Sequence, residues 1–542
     1  MFKARRSAAP AALLAVSLVL TACGGNSQNG KSGPADTLVY GVDGEPDTLD
    51  PHVSSFALAA LFTRPVLDSL VYLDDKGKVH PWLANSWQIS PDGKTYTFKL
   101  RHGVKFSDGT PFNAAAVKAN LDRIVDPKTK SALAAAQIAP YKSTKVVDEY
   151  TAKVSLSKPY SPFLAALGTA FTGMQSPAAL KKGPDFTAKT VVGTGPFVMD
   201  EYTPHRQITY HRNKDYNWAP KQAKHQGPAH LKHLTYKILT EDAVRYGALT
   251  SGQVDAIAAL PPSSLKQAKQ NPDLKVQTRD TPGENYSYYP NITKGVFTDV
   301  RVRKAFRNGI DFKSIIDRLY FGAYAPALGP LSPTTPGYDK GTEKLWGYDP
   351  DEAGRLLDEA GWTGHDKQGY RTKNGKRLTV RWLRANGVER EQRGTLAEQI
   401  QASAKKIGFD VQMPAGTLNE YIQRFGKADY DLVDFSLQRP DGDVLRNVFD
   451  TSNISDGTKL TQNGARYSDP QVDGWLDAAL KTTDLTERAD LYAKVQRKVT
   501  NEAVVFPAYV FSYIMGLSKN VEGISWDAMG HPTFYDAQVS QN

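Results

Sequence analysis

Cysteine is all but absent from this chain: Cys23 is the only one in 542 residues. A lone thiol cannot close an internal disulfide, nor build a thiolate cluster for zinc or iron–sulfur. Long apolar runs are missing after the first two dozen residues, and no later stretch is long enough to cross a bilayer as a helix. Hydrolase motifs are missing too: there is no G-x-S-x-G, no H-E-x-x-H and no cysteine placed as a nucleophile. Gly193-Thr194-Gly195 is not a nucleotide loop, because the third glycine is absent and Pro196 removes a donor from any phosphate cradle. The formal charge is +10, from 67 Lys and Arg against 57 Asp and Glu. The two signs are interleaved without blocks, so no nucleic-acid surface is indicated.

What is present starts at the N-terminus. Lys3, Arg5 and Arg6 precede an apolar core from Ala11 to Leu20, and small residues follow up to Cys23. That order is the order of an export signal, and the core is too short to span a bilayer in the mature protein. Leu20-Thr21-Ala22-Cys23 resembles the bacterial lipobox, which implies a signal over 1–22 and a lipid on Cys23. The alternatives are an ordinary cleavable signal and an N-terminal anchor. Residues 23–35 are rich in Gly, Asn and Ser, a composition that predicts a flexible tether. The expected place is the outer face of the cytoplasmic membrane, held durably if more than one acyl chain is attached.

The remaining length exceeds one hydrophobic core and predicts two or three domains of mixed α/β type. Thr37 to Val42 reads as a first strand, and Thr95 to Leu100 alternates after the turn Pro91-Asp92-Gly93-Lys94. Asn113 caps a helix over 114–124, Asp299 caps another, and Asp349-Pro350 opens a third that Gly361 closes. Residues 395–407 form a helix ending at Gly408, and Asp469-Pro470 opens a helical pair running to about Asn501. Repeated helix–Gly–strand steps predict βα units under covering helices.

Several motifs then occur in a fixed order. Leu83-Ala84-Asn85-Ser86-Trp87 leads to Ser90-Pro91-Asp92-Gly93-Lys94 and on to Arg101-His102-Gly103-Val104-Lys105-Phe106-Ser107-Asp108-Gly109-Thr110-Pro111. Glu45-Pro46-Asp47-Thr48-Leu49-Asp50-Pro51 precedes them. Val192-Gly193-Thr194-Gly195-Pro196-Phe197, Val300-Arg301-Val302-Arg303-Lys304-Ala305-Phe306 and Glu359-Ala360-Gly361-Trp362 follow. Together they resemble the bacterial extracellular solute-binding proteins of family 5, the dipeptide, oligopeptide and nickel-binding group. The resemblance covers essentially the whole mature chain. It implies a periplasmic-binding-protein type II-like two-lobe clamp with an extra small domain. Lobe I would be 36–54, 191–278 and 506–542, the extra domain 55–190, and lobe II 279–505. Two strands near the junctions would serve as the hinge.

The function so implied is that of a substrate-binding lipoprotein of an ABC importer. It would capture a peptide or peptide-like solute and deliver it to permease and ATPase subunits, as a monomer without cofactor or catalysis. A receptor for a metal–chelator complex and an extracellular peptide sensor are the alternatives. Candidate ligand contacts are Glu45 and Asp47 after the first strand, Tyr286 and Tyr288 in an aromatic run with Tyr289, and Arg384, Arg439 and Asp441 from the opposite lobe. Alternation along 286–289 would aim only some of these tyrosines at a ligand. In peptide-binding members an aspartate in a "GWxxDYxDP" segment pairs with the ligand's amino terminus. Here Phe435-Ser436-Leu437-Gln438-Arg439-Pro440-Asp441 lacks the tryptophan, and Asp441 matches with a one-residue shift. Two roles are open to Arg439: a fork onto a ligand carboxylate, or part of an internal set of pairs, Arg439–Asp441 or Arg446–Asp443, that shapes the loop. Five of ten histidines fall between His205 and His233, but their spacing matches no closed metal-ligand set.

Overall fold

Thr37–Val42 alternates half-buried and buried side chains before becoming fully buried, as a strand entering the middle of a sheet does. In the computed structural model, which describes residues 36–540 except 55, 132, 387–389 and 457–460, it is the central strand of seven. Cys23, the signal and the tether lie outside the described residues. Across the sheet the order is Leu274–Asp280, Ser512–Ser518, Ala256–Ile257, Thr37–Val42, His233–Ile238, Gln207–Arg212 and Phe197–Thr203. Thr37–Val42 pairs in parallel with both of its neighbours, and the outer pairs are antiparallel. One face is packed with rings: Tyr40 and Tyr210 each meet Tyr236 edge-on, at 5.3 and 5.4 Å between centroids.

Residues between the first two strands of that sheet build a separate four-stranded antiparallel sheet, ordered Ala84–Ile89, Thr95–Leu100, Thr151–Leu156 and Tyr141–Asp148. Helix Ala114–Val125 covers it, and Asn113 caps that helix as its sequence predicts. The Val192–Phe197 motif is where the chain returns to the seven-stranded sheet. A Cβ on Gly193 would stand 2.1 Å from the Val66 carbonyl oxygen, and one on Gly195 2.6 Å from the Val66 carbonyl carbon. Backbone packing on backbone is therefore what those two glycines serve. Buried Asp68 fastens the same junction by accepting from Trp218 Nε1 and Thr194 Oγ1, both at 2.9 Å.

A third body holds a three-stranded sheet in the order Leu432–Phe435, Tyr286–Pro290, Phe506–Tyr509. Trp382 bridges Leu432 in parallel, and Thr379–Arg381 pairs in parallel with Asp410–Gln412. The chain passes between the large sheet and this one twice, side by side. Leu274–Asp280 leads into Tyr286–Pro290, and Phe506–Tyr509 leads into Ser512–Ser518. Asp280 faces Ser512 in register, Ser512 Oγ donates to Asp280 Oδ1 at 2.5 Å, and the Thr281 amide donates to the Phe511 carbonyl at 2.9 Å. Two adjacent extended segments joining two packed bodies are the geometry of a hinge.

Candidate ligand cleft

Ligands in open α/β sheets sit beyond the carboxyl ends of the strands. In the large sheet the parallel strands end at Val42, Ile238 and Ile257, so Asp43, Leu239 and Ala258 are the first residues beyond them. Arg245, buried, locks those ends together: its guanidinium donates to the carbonyls of Leu239, Thr240, Ala258 and Ala259 at 2.8–3.0 Å. In the third body the matching ends are Arg384, Ala385, Asp434 and Phe435, around a cavity of about 240 Å³ that Arg393 and Tyr421 also line. Groups near the two sets act on each other electrostatically. Burial raises the Tyr513 phenol above its ordinary range, reinforced by Asp43 and Asp527 from its own side and Glu391 from the other, and opposed by Arg390. Tyr324, across the gap, is raised by burial and feels both Glu391 and Asp43.

The tyrosine run is placed by its strand. Tyr286 and Tyr288 share one face and Tyr289 takes the other, yet all of Tyr286–Pro290 is buried, because the strand is central and both faces are covered. Tyr286 donates to Asp434 and lies under the Arg393 guanidinium, 4.1 Å from the ring centroid. Tyr288 is packed edge-on against Trp382 at 5.0 Å and beside Phe312 at 5.9 Å. Trp382 Nε1 donates to the second Asp434 oxygen at 2.6 Å, and Arg384 stands over the Trp382 ring at 5.3 Å. Arg393 also pairs with Glu391 at 2.8 Å and donates to the Tyr509 hydroxyl at 3.0 Å. Asp434, Arg393 and Glu391 were not singled out in the sequence, although Asp434 adjoins the departing Phe435–Asp441 segment.

Glu45 and Asp47 sit in the loop beyond the first strand. Glu45 accepts from the Tyr202 hydroxyl at 2.5 Å and the His205 amide at 2.8 Å, and pairs with His205 Nδ1 at 2.7 Å. Asp47 accepts from Ser54 Oγ at 2.5 Å. The loop is pinned by Asp50, paired with Arg123. Burial pushes its carboxyl up, but Arg123 and neighbouring donors outweigh that and hold it at about 2.

Asp441 and Arg439 fall on a different wall, where the third body meets the four-stranded unit. Both line a cavity of about 290 Å³ together with Gln137, Tyr160, Asp443 and Arg446. Of the pairs left open by the sequence, Arg446–Asp443 forms at 3.3 Å, and Arg446 also reaches Asp450 at 2.7 Å and Asp477 at 3.1 Å. Asp441 is held by Arg488, a residue nearly fifty positions away in the chain that no local motif marks. Burial pushes Asp443 up to about 7; Asp441 adds to the displacement, while Arg446 and Arg488 oppose it.

The histidines are dispersed. His205 pairs with Glu45, His211 with Asp200 at 2.5 Å, and His225 with Asp536 at 2.8 Å while stacking on Tyr535. Among the described residues no group of three or more His, Cys, Asp or Glu could hold a metal ion.

The profile of the bacterial extracellular solute-binding proteins, family 5 Middle, matches residues 78–456. The chain belongs to that family. Heme-binding protein A of Haemophilus influenzae is 31% identical over 565 residues, spanning 97% of this chain and 98% of the relative. Glutathione-binding protein GsiB of Escherichia coli K12 is 30% identical over 500 residues, 90% of this chain and 92% of the relative. Among solved structures, NikA from Brucella suis in complex with Fe(III)-EDTA superposes with a TM-score of 0.81 at 26% identity, covering 93% of this chain and all of that one. The fold is therefore the type II periplasmic-binding architecture of family 5, whose members are the substrate-binding components of ABC importers.

Proposed function

We propose that this family 5 protein clamps a small, carboxylate-bearing peptide-like solute between the large sheet and the three-stranded sheet. In this reading lobe I is 36–54, 191–278 and 506–542, lobe II is 279–505, and 55–190 is the extra domain. The observation that carries it is the mutual influence of groups beside the two sets of strand ends, Asp43 and Tyr513 on one side and Arg390, Glu391 and Tyr324 on the other, next to a cavity lined by Arg384 and Arg393. Arginines supply forked donors to carboxylates, and tyrosines supply apolar area with a polar tip. The relatives' names, which specify heme and glutathione, agree with a ligand carrying more than one carboxylate. The protein acts as a receptor rather than a catalyst, is lipidated at Cys23, works as a monomer, and hands its cargo to a permease driven by ATPase subunits.

A metal–chelator cargo is the second reading, favoured by the likeness to a protein solved with Fe(III)-EDTA, since the same arginines suit a polycarboxylate chelate. Native mass spectrometry of the protein as purified from cells separates the two. A retained mass of di- or tripeptide size supports the proposal, and a retained metal chelate transfers it to the second reading. For the anchor, Cys23→Ala leaves an uncut precursor or frees the protein from membranes; normal processing and retention would remove the lipid.

A further inference from the structure

We infer that the cavity between the third body and the four-stranded unit is an anion subsite, in which Arg439 binds a carboxylate of the cargo. The inference rests on the cleft reading above and extends it, by assigning the charge read at the end of the site where the family resemblance places an aspartate for an amino group. Three observations carry it.

The first is that the aspartate is spent. Asp441 gives both carboxylate oxygens to Arg488 Nη2, at 2.5 and 2.6 Å, and one of them also to the Tyr492 hydroxyl at 3.3 Å. A carboxylate already holding a buried guanidinium has little left for an incoming ammonium. Drawing it away would strand the charge of Arg488 in the interior.

The second is that Arg439 is a cation without an ion-pair partner among the described residues. The one hydrogen bond of its guanidinium among the described residues is to the Gln438 carbonyl at 3.4 Å, which is long for a charged donor. Asp443 acts on it through space but makes no ion pair with it. Burial pulls the Arg439 guanidinium below its ordinary range, with the Tyr160 phenol and Asp443 opposing. A half-buried guanidinium in that state gains from any anion that enters.

The third is that further donors lining the same cavity lack acceptors. Arg446 lines the cavity, and its Nη2 is buried without a partner. Gln137 lines it from the opposite unit; its amide oxygen accepts from Thr169 at 2.8 Å, and its amide nitrogen is buried without a partner. The acids here are already matched: Asp443 and Asp450 to Arg446, Asp441 to Arg488. Unfilled donors beside filled acceptors define a site for a group that only accepts, and the three heavy atoms of a carboxylate fit about 290 Å³ easily.

A carboxylate here comes from the cargo or from a free anion, and the test separates them. The full chain in detergent, stripped of carried-over ligand, is titrated calorimetrically with glutathione and with its diester, in wild type, Arg439→Gln and Arg439→Lys. Melting is followed in parallel with citrate. The expected result is at least a tenfold preference for glutathione over the diester in wild type, lost in Arg439→Gln and largely kept in Arg439→Lys. If citrate raises the wild-type melting temperature but not that of Arg439→Gln, while glutathione and diester bind alike, the subsite stands and its anion is a free one. Equal binding of both forms with no citrate response overturns the subsite and leaves the cleft reading intact. No binding of either form and no citrate response removes both. Melting of the unliganded Arg439→Gln protein within a few degrees of wild type confirms that the variant is folded.

Discussion

Arg488 reaches across 47 positions of sequence to hold both carboxylate oxygens of Asp441, and neither partner is open to solvent to any large extent: their side chains are 7% and 13% exposed. A buried pair of this kind is costly to break from one side only. Removing one partner leaves the other charged and without compensation, at about 3–5 kcal/mol. Arg488→Met is therefore expected to destabilise the unliganded protein by that amount. The double variant Asp441→Leu/Arg488→Met should recover most of the loss. Thermal melting of the three proteins checks this, and additive losses in the double variant would contradict it.

The raised carboxyl of Asp443 gives a pH signature. An acid whose folded pKa lies above its unfolded value binds its proton more tightly when folded. The stability contributed by that neutral form is complete at low pH. It is lost as pH rises from the ordinary carboxylate value, about 4, through about 7. The groups acting on Asp443 are Asp441, Arg446 and Arg488, with Arg439 and Tyr160 lining the same cavity. Asp443→Asn removes the titration. Its melting temperature should fall less than that of wild type between pH 5 and pH 8; parallel curves would show that Asp443 does not titrate there.

Gly283 lies in the first crossing between the two large bodies, with φ of +117°, a region that only glycine enters freely. A Cβ there would stand 2.3 Å from the Leu437 carbonyl oxygen and 2.6 Å from the Arg439 amide nitrogen. Gly283→Ala is therefore expected to lose about 1–3 kcal/mol of stability and to displace the loop that carries Arg439. Calorimetric affinity and melting should both drop, where a purely local strain would lower melting alone.

Much of the fold was legible in the sequence because local chemistry decided it. Asn113, Asp299, Asp349 and Asp469 cap helices as their side chains predict, and Pro350 and Pro470 stand at first helical positions. His205 falls in the turn between two strands, with φ of +60°, a placement that composition alone does not mark. The site was harder to read. Alternation predicts that only some of Tyr286, Tyr288 and Tyr289 meet a ligand, but all three are buried, because burial of both strand faces depends on helices and strands far away in sequence. The partner of Asp441 lies in the helix Leu485–Asn501, and one of the donors that adjoin Arg439, Gln137, comes from a unit three hundred residues earlier. Pairings across such distances leave no local pattern. The same holds for Gly193 and Gly195, visible as a motif, whose reason is the Val66 backbone behind them.

A clamp hinged on two neighbouring strands should compact when filled. Small-angle scattering of ligand-free and ligand-saturated protein is expected to show a smaller radius of gyration in the filled state. An unchanged radius at saturation would indicate a rigid pocket instead.

The central claim is that the cleft takes a small peptide-like solute bearing carboxylates. Calorimetric titration of the stripped protein against di- and tripeptides, glutathione among them, tests it most directly. The account predicts at least one dissociation constant in the micromolar range or tighter, about −8 kcal/mol or more favourable. If none of these binds at millimolar concentration, and a cargo without peptide bonds or carboxylates is recovered from the native protein, the claim is contradicted.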